Sequence, residues 1–447
     1  MKPTVVLVGR PNVGKSTLFN RLTRSRAALV ADVPGLTRDR HYGHATVSGK
    51  SIILVDTGGL EHASEDELRR EMAKQTMQAV DEGDAIVFLV DVRDGLVPQD
   101  RIIAEQLRQT GRDIWLVVNK AEGMNATLVS AEFHELGLGE PIAISAAHGD
   151  GVRTLMEKIV RPLVAEQYPE LTVEQASQPK IAIVGRPNVG KSTLVNALLG
   201  ETRMIAFNEP GTTRDSIYID FERDGQPYTV IDTAGVRRRG RIDEAIEKYS
   251  VIKTLQAIED ANVVILVLDA AQEIADQDGN IARFIVEAGR ALVVAINKWD
   301  AVDAHGRERI KREYERKLGF LGFARAHMIS AVAPSGLGAL MRSVDAAFRA
   351  AMSQLPTPKL TRILREATDK QAPPRRGYRR PKLRYAHQGG VNPPRIVVHG
   401  NSLQDVSEDY RRYLERAFMQ AFRLRGTPVR VIFKTGRNPF AAGGRGR

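Results

Sequence analysis

Short apolar runs without polar alternation punctuate the first three quarters of the chain. The first set is Val5–Val8, Ile52–Val55, Ile86–Val90, Ile114–Val118 and Ile142–Ile144. The second is Lys180–Val184, Thr229–Ile231, Val263–Leu268, Leu292–Ile296 and His327–Ile329. Runs of this kind suit strands buried on both faces. Alternating with helical segments, they predict the α/β class, with mostly parallel sheets covered by helices on both sides. The polar segment Glu166–Gln178, containing Pro169 and followed by Pro179, separates the two sets. It is expected to be a linker (166–178) between a first unit over 1–165 and a second over 179–354. Beyond Pro356-Thr357-Pro358 the pattern changes to that of a small α+β module over 355–437. A helix is expected near Leu360–Thr368, strands near Leu383–His387 and Arg395–His399, a helix over Val406–Arg425 and a last strand Val429–Phe433. The Gly- and Arg-rich residues 438–447 are expected to be a disordered tail.

The two sets of runs carry the same motifs. Gly9-Arg10-Pro11-Asn12-Val13-Gly14-Lys15-Ser16-Thr17 returns letter for letter as Gly185-Arg186-Pro187-Asn188-Val189-Gly190-Lys191-Ser192-Thr193. Pro34-Gly35-Leu36-Thr37-Arg38-Asp39 recurs as Pro210-Gly211-Thr212-Thr213-Arg214-Asp215. Asp56-Thr57-Gly58-Gly59 recurs as Asp232-Thr233-Ala234-Gly235. The distance along the chain is the same each time, from 9 to 185, from 37 to 213 and from 56 to 232. A constant offset over separated motifs means two whole units in tandem.

The repeated nonamer contains G-x-x-x-x-G-K-S, a loop whose backbone N–H groups close around a β-phosphate at the positive end of a helix. Lys15 and Lys191 are expected to reach the β- and γ-phosphate oxygens, and the Ser16 and Ser192 hydroxyls to ligate Mg²⁺. Thr37 and Thr213 would complete the Mg²⁺ shell when a γ-phosphate is present, within a switch loop that loosens after hydrolysis. Asp56 and Asp232 would hold Mg²⁺ through water. Gly59 and Gly235 can each offer a backbone N–H to the γ-phosphate, with Thr57, Gly58 and Leu60, or Thr233, Ala234 and Val236, beside them. Further along, Asn297-Lys298-Trp299-Asp300 ends an apolar run. The Asp300 carboxylate can accept from N1–H and the exocyclic amine of guanine, donors that adenine lacks, so it selects GTP over ATP. The backbone at Ser330-Ala331 would contact guanine O6. The first-unit counterparts are Asn119-Lys120-Ala121-Glu122 and Ser145-Ala146.

Charge is unevenly spread in this chain of 447 residues, whose length predicts about three domains. Residues 355–447 hold 21 Lys and Arg against 6 Asp and Glu, a net +15. The whole chain carries +11, which leaves −4 for the rest. The simplest reading is a polyanion-binding end on a near-neutral enzyme body; the alternative is a merely solvated basic tail. Cysteine is absent, which excludes disulfides and thiolate metal sites and suits a reducing cytosol. No apolar run reaches the ~20 residues of a membrane span, so a cytoplasmic protein without membrane contacts is expected.

In these motifs and their order the chain resembles the bacterial tandem-G-domain GTPases of the Der (EngA) family. The resemblance covers both G domains and, less specifically, the C-terminal module, which in that family is KH-like. It implies a ribosome-assembly GTPase that acts on the large ribosomal subunit and its precursors and contacts ribosomal RNA. It also implies a C-terminal domain packed between the two G domains. Asn12 and Asn188 resemble the potassium-coordinating Asn of related GTPases, which adds K⁺ to GTP/GDP and Mg²⁺ as an expected cofactor; asparagine also serves loop geometry.

Three departures qualify this reading. Leu60 and Val236 stand where many GTPases place the Gln that orients the attacking water, so slow intrinsic hydrolysis is expected. Glu122 replaces the Asp of the base-reading motif; its extra methylene displaces the carboxylate, at a cost of about 1–3 kcal/mol if a bidentate pair is misplaced. The C-terminal module has no G-x-x-G between helices, the backbone clamp of KH domains. Phosphate contacts by Arg375, Arg376, Arg379, Arg380, Lys382 and Arg384 are expected instead. Tyr378 and Tyr385 can stack on bases or pack internally. The basic run Arg237-Arg238-Arg239 and Arg241 would lie in a switch loop. Two other classes share parts of the pattern. A duplicated metabolite kinase would need an acceptor site, and no metabolite acceptor is expected here. A non-catalytic nucleotide switch would bind a partner protein.

Overall fold

A computed structural model describes residues 3–23, 29–30, 41–48, 50–57, 79–81, 83–165, 178–200, 217–232, 251–375 and 380–435. The first unit contains β1 (Thr4–Val8), β2 (Leu29–Val30), β3 (His41–Val47), β4 (Lys50–Asp56), β5 (Ala85–Asp91), β6 (Ile114–Asn119) and β7 (Ile142–Ala143). They form one sheet in the order β2-β3-β4-β1-β5-β6-β7. β1 pairs in parallel with both β4 and β5, and β5–β6–β7 continue in parallel. Only the β2–β3–β4 edge is antiparallel. Helices α1 (Lys15–Thr23), α2 (Pro98–Arg108), α3 (Ala126–Ser130) and α4 (Val152–Ala165) accompany it.

The second unit repeats the plan with β8 (Lys180–Val184), β9 (Ile217–Arg223), β10 (Gln226–Asp232), β11 (Val263–Asp269), β12 (Ala291–Asn297) and β13 (Arg325–Met328). Its order is β13-β12-β11-β8-β10-β9, antiparallel only between β9 and β10. Its helices are α5 (Lys191–Gly200), α6 (Val251–Asp260), α7 (Asp276–Ala288), α8 (Ala304–Leu318) and α9 (Leu337–Ala351). β1, β5, β11 and β12 are buried at every position, the condition their unbroken apolar runs require. In each sheet the order reverses about the first strand, β1 or β8. That reversal opens a crevice beyond the strand's carboxyl end, where the repeated nonamer begins.

The antiparallel strands β3 and β9 do not appear in the apolar-run reading. Each interleaves polar residues, as in His41-Tyr42-Gly43-His44, and so carries no continuous run. Hairpin turns join them to β4 and β10, with left-handed φ at Ser48 (47°), Asp224 (51°) and Gly225 (76°). Asp-Gly at 224–225 is the sequence signal for such a turn.

The C-terminal module is a three-stranded sheet, β14 (Lys382–Gly390), β15 (Arg395–Asn401) and β16 (Arg430–Thr435), with α10 (Thr357–Lys370) and α11 (Glu408–Ala421). α10 starts earlier than the sequence suggests because Pro358 falls in its first turn, where a missing N–H costs nothing. α11 starts later, at the cap formed when the Ser407 hydroxyl accepts from Tyr410 N at 3.3 Å.

The described hydrogen bonds that tie this module to the rest of the chain go to the second unit. Leu292 N donates to Gly426 O at 2.7 Å and Gly426 N to Phe323 O at 2.8 Å. The Arg430 guanidinium donates to Val286 O at 2.5 Å and Glu287 O at 3.0 Å. The first unit touches the same side of the second. His44 on β3 stacks on Phe284 of α7, with centroids 4.1 Å apart, and pairs with buried Glu259 of α6 at 2.6 Å. Gln256 donates to the Thr4 hydroxyl at 3.0 Å. The family resemblance implies a C-terminal domain packed between the two G domains; the described contacts join the module and the first unit each to the second unit, with α7 common to both interfaces.

Candidate functional site

At the end of β1 the nonamer turns sharply, with Asn12 at φ 65° and Gly14 at φ 98°. A Cβ on Gly14 would lie 2.2 Å from Asn119 Nδ2, so a side chain there would displace the neighbouring loop. Lys15, the first residue of α1, is 3% exposed and folds back over the loop, donating to Gly9 O at 2.8 Å and Arg10 O at 2.7 Å. Burial pushes its pKa down to about 8, opposed by the nearby Asp56 carboxylate. The next hydroxyl, Ser16 Oγ, donates to Asp56 Oδ2 at 2.8 Å at the end of β4, and Thr57 Oγ1 donates to Leu7 O at 2.8 Å. Lysine, serine and the buried Asp56 thus converge at the mouth of the crevice.

Asn119 joins three sequence motifs. Its Nδ2 donates to Val13 O at 2.7 Å, and its Oδ1 accepts from Ala146 N at 2.8 Å. Lys120, at φ 65°, pairs with buried Asp91 at 2.5 Å. Ala121 N donates to Ile144 O at 3.1 Å. Glu122 and the Ser145 hydroxyl come together at the open end. The carboxyl of Glu122 is held below its ordinary range by its own backbone N–H first, then by Ser145. That hydroxyl also meets His148 Nδ1 at 3.0 Å.

The second unit reproduces this arrangement. Asn188 has φ 62°, and a Cβ on Gly190 would lie 2.3 Å from Asn297 Nδ2. Buried Lys191 donates to Arg186 O at 2.8 Å. Asn297 Nδ2 donates to Val189 O at 2.9 Å, and its Oδ1 accepts from Ala331 N at 3.0 Å. Lys298 bridges Asn188 O at 2.8 Å and Asp269 Oδ2 at 2.6 Å. Trp299 N donates to Ile329 O at 3.1 Å, and Trp299 carries the Arg307 guanidinium over its ring at 5.3 Å. Asp300 is exposed, its carboxyl held low by the Ser330 hydroxyl and by its own backbone N–H. Pro11, Pro187 and Ser192 lie in the same loop-to-helix turns.

Sequence reasoning missed a second set of groups. Arg10 Nε pairs with fully buried Asp100 at 3.2 Å, and its NH2 with Asp94 at 2.9 Å. Arg186 pairs likewise with Asp278 at 2.8 Å. Burial raises the pKa of both carboxyls, while the arginines oppose the rise. The signal was available by aligning the two units: Asp91 and Asp100 correspond to Asp269 and Asp278 at equal spacing. Thr37, Gly58, Gly59, Leu60, Thr213, Thr233, Ala234, Gly235 and Val236 lie outside the described residues, as do Arg237-Arg238-Arg239, Arg241, Arg376, Tyr378 and Arg379. Only the backbone of Asp232 is described.

The family model for the 50S ribosome-binding GTPase matches residues 4–120 and again 180–298. The KH-domain-like model of the C-terminus of EngA bacterial GTPases matches 354–434. GTPase Der of Cupriavidus pinatubonensis is 64% identical over 444 residues, covering 99% of each chain. GTPase Der of Ralstonia pickettii is 63% identical with the same coverage. Among solved structures, Era of Aquifex aeolicus bound to GDP·AlF4⁻ is 21% identical, with a TM-score of 0.33, covering 72% of this chain and 99% of that one. With two P-loop sites of matching geometry and full-length relatives at this identity, the chain belongs to the Der family of GTPases.

Proposed function

We propose that the chain hydrolyses GTP at two sites, over units 1–165 and 179–354, and uses the nucleotide state to govern binding of its 355–437 module to ribosomal RNA of the large subunit and its precursors. The catalytic part of this reading is carried by one observation. Lys15 is buried on two loop carbonyls with its pKa at about 8, a cation held ready for phosphate oxygens. On GTP binding, Lys15 and Lys191 move onto the β- and γ-phosphates, and the loop N–H groups from Gly9 to Ser16 and from Gly185 to Ser192 enclose the β-phosphate.

The donors at the mouth of the first site fit Mg²⁺, since the Ser16 hydroxyl and the Asp56 carboxylate are hard oxygens already within 2.8 Å. Ser16, Asp56 and Thr37 would hold the ion in the first unit, and Ser192, Asp232 and Thr213 in the second. An Mg²⁺ held there would supply charge neutralisation to the nucleotide's phosphate oxygens. Gly59 and Gly235 present their N–H to the γ-phosphate. Leu60 and Val236 offer no group to orient water, so unaided hydrolysis is slow. Asn12 and Asn188 are assigned a K⁺ beside the phosphates; their left-handed φ alone already suits asparagine.

The ribosomal part rests on charge and exposure. Arg375, Arg380, Lys382 and Arg384 are all exposed on the module that holds the chain's excess positive charge. Tyr385 is exposed too, so base stacking is open to it. No described helix is long and apolar enough to cross a membrane. Sedimentation with large ribosomal subunits tests the reading. Co-sedimentation with a non-hydrolysable GTP analogue but not GDP, weakening with salt, is expected. Identical behaviour in the two nucleotides would remove the switch.

A further inference from the structure

The two sites differ at two positions that the structure brings together, one in the base-reading segment and one in the turn after β5 or β11. Asp91 and Asp269 end β5 and β11, and each is followed by the same turn. Arg93 N donates to Asp91 Oδ1 at 3.0 Å, and Ala271 N donates to Asp269 Oδ1 at 2.9 Å. Arg93 therefore stands where the second unit has Ala271. Its guanidinium donates to Glu122 Oε1, and Glu122 is the residue that replaces Asp300. The same carboxylate is also held by its own backbone N–H and by the Ser145 hydroxyl. A longer carboxylate and an arginine that grips it occur in one site; a shorter carboxylate and an alanine occur in the other.

An exposed ion pair contributes little to stability, and Arg93 is largely exposed. Its geometry has another consequence. A glutamate has one more rotatable bond than an aspartate, and a carboxylate that wanders cannot accept from both N1–H and the exocyclic amine of guanine. Fixing one oxygen on a planar guanidinium removes that freedom.

We propose that Arg93 is a positioning residue for guanine recognition at the first site: its grip on Glu122 Oε1 fixes the carboxylate that the base must meet. The proposal rests on the reading of Asn119–Glu122 as the base-reading segment.

Both can be tested in the full chain carrying Asp300→Ala, which disables guanine reading at the second site. The ligands are GDP, IDP (which lacks the exocyclic amine) and xanthosine diphosphate. Arg93→Ala is expected to raise the first-site Kd for GDP about tenfold, the worth of one oriented charged hydrogen bond. IDP should be affected less, so the preference for GDP over IDP falls. Adding Glu122→Asp to Arg93→Ala should bring GDP affinity back to within about threefold, because the shorter side chain needs no grip; such coupling marks residues acting together. An unchanged GDP Kd, tighter GDP binding, or equal weakening of GDP and IDP would each overturn the proposal. Glu122→Gln separates the underlying reading. Its amide can donate to xanthine O2, so preference should move toward xanthosine diphosphate. If it does not, the segment does not read the base; if it does while Arg93→Ala is silent, only the role of Arg93 falls.

Discussion

Nucleotide binding at the first site should take up a proton, because Lys15 is buried before any phosphate arrives. Burial lowers its pKa from 10.5 to about 8. At pH 8.5 about three quarters of Lys15 is then neutral in the free protein, against about a tenth at pH 7. Beside two phosphate groups the charged form is favoured. Binding should therefore draw about 0.75 proton per GDP at pH 8.5 and about 0.1 at pH 7. Because the free-state pKa is the lowered one, affinity is unaffected well below pH 8 and declines as pH rises through it. The linked loss is about fourfold at pH 8.5 and about tenfold, or ~1.4 kcal/mol, at pH 9. Stability of the nucleotide-free protein moves the other way. The unfolded chain holds the extra proton between pH 8 and 10.5, so stability rises with pH across that window, by up to about 3 kcal/mol. Titration calorimetry of GDP into the Asp300→Ala chain, in two buffers of different ionisation heat at pH 8.5, counts the protons. Zero uptake, or release, would refute the premise that burial, relieved by phosphate, controls this lysine.

Asn119→Ala should destabilise the first unit by about 2–4 kcal/mol, since it strands the buried Val13 carbonyl and Ala146 N–H; urea unfolding with and without GDP reads this, and Asn297→Ala should do the same in the second unit. GTP turnover should be faster in KCl than in NaCl at equal ionic strength; equal rates would leave Asn12 and Asn188 with loop geometry alone. Lys382→Glu with Arg384→Glu should weaken sedimentation with large ribosomal subunits, and flatten its salt dependence, without changing GTP turnover by the free protein.

The parallel strands were legible because burial on both faces forces apolar residues into runs, and the phosphate loops because their backbone path demands glycines at fixed spacing. Repetition made the rest of each unit readable by comparison. β3 and β9 were not legible as runs, since an antiparallel edge tolerates His41, His44 and Asp220 among its apolar positions. Asp91, Asp100 and their counterparts escaped notice because their partners lie far along the chain and only the fold brings them together. Glu122 shows both sides of this. Its departure from the motif was plain in the sequence, but nothing near it in the chain pointed to Arg93, which reaches it from the end of a neighbouring strand.

β12 has two fastenings. Leu292, near its start, is bonded to Gly426 of the C-terminal module, and Asn297, at its end, holds Val189 O and Ala331 N of the nucleotide loops. Between them the strand is buried at every residue and hydrogen-bonded along both edges, to β11 and β13. Such a strand has little freedom to bend. It behaves as a stiff pushrod of roughly 17 Å, five residues at about 3.3 Å each. A displacement imposed on Asn297 by the nucleotide would have to move the strand together with its neighbours, and the basic module bonded at Leu292 would go with them.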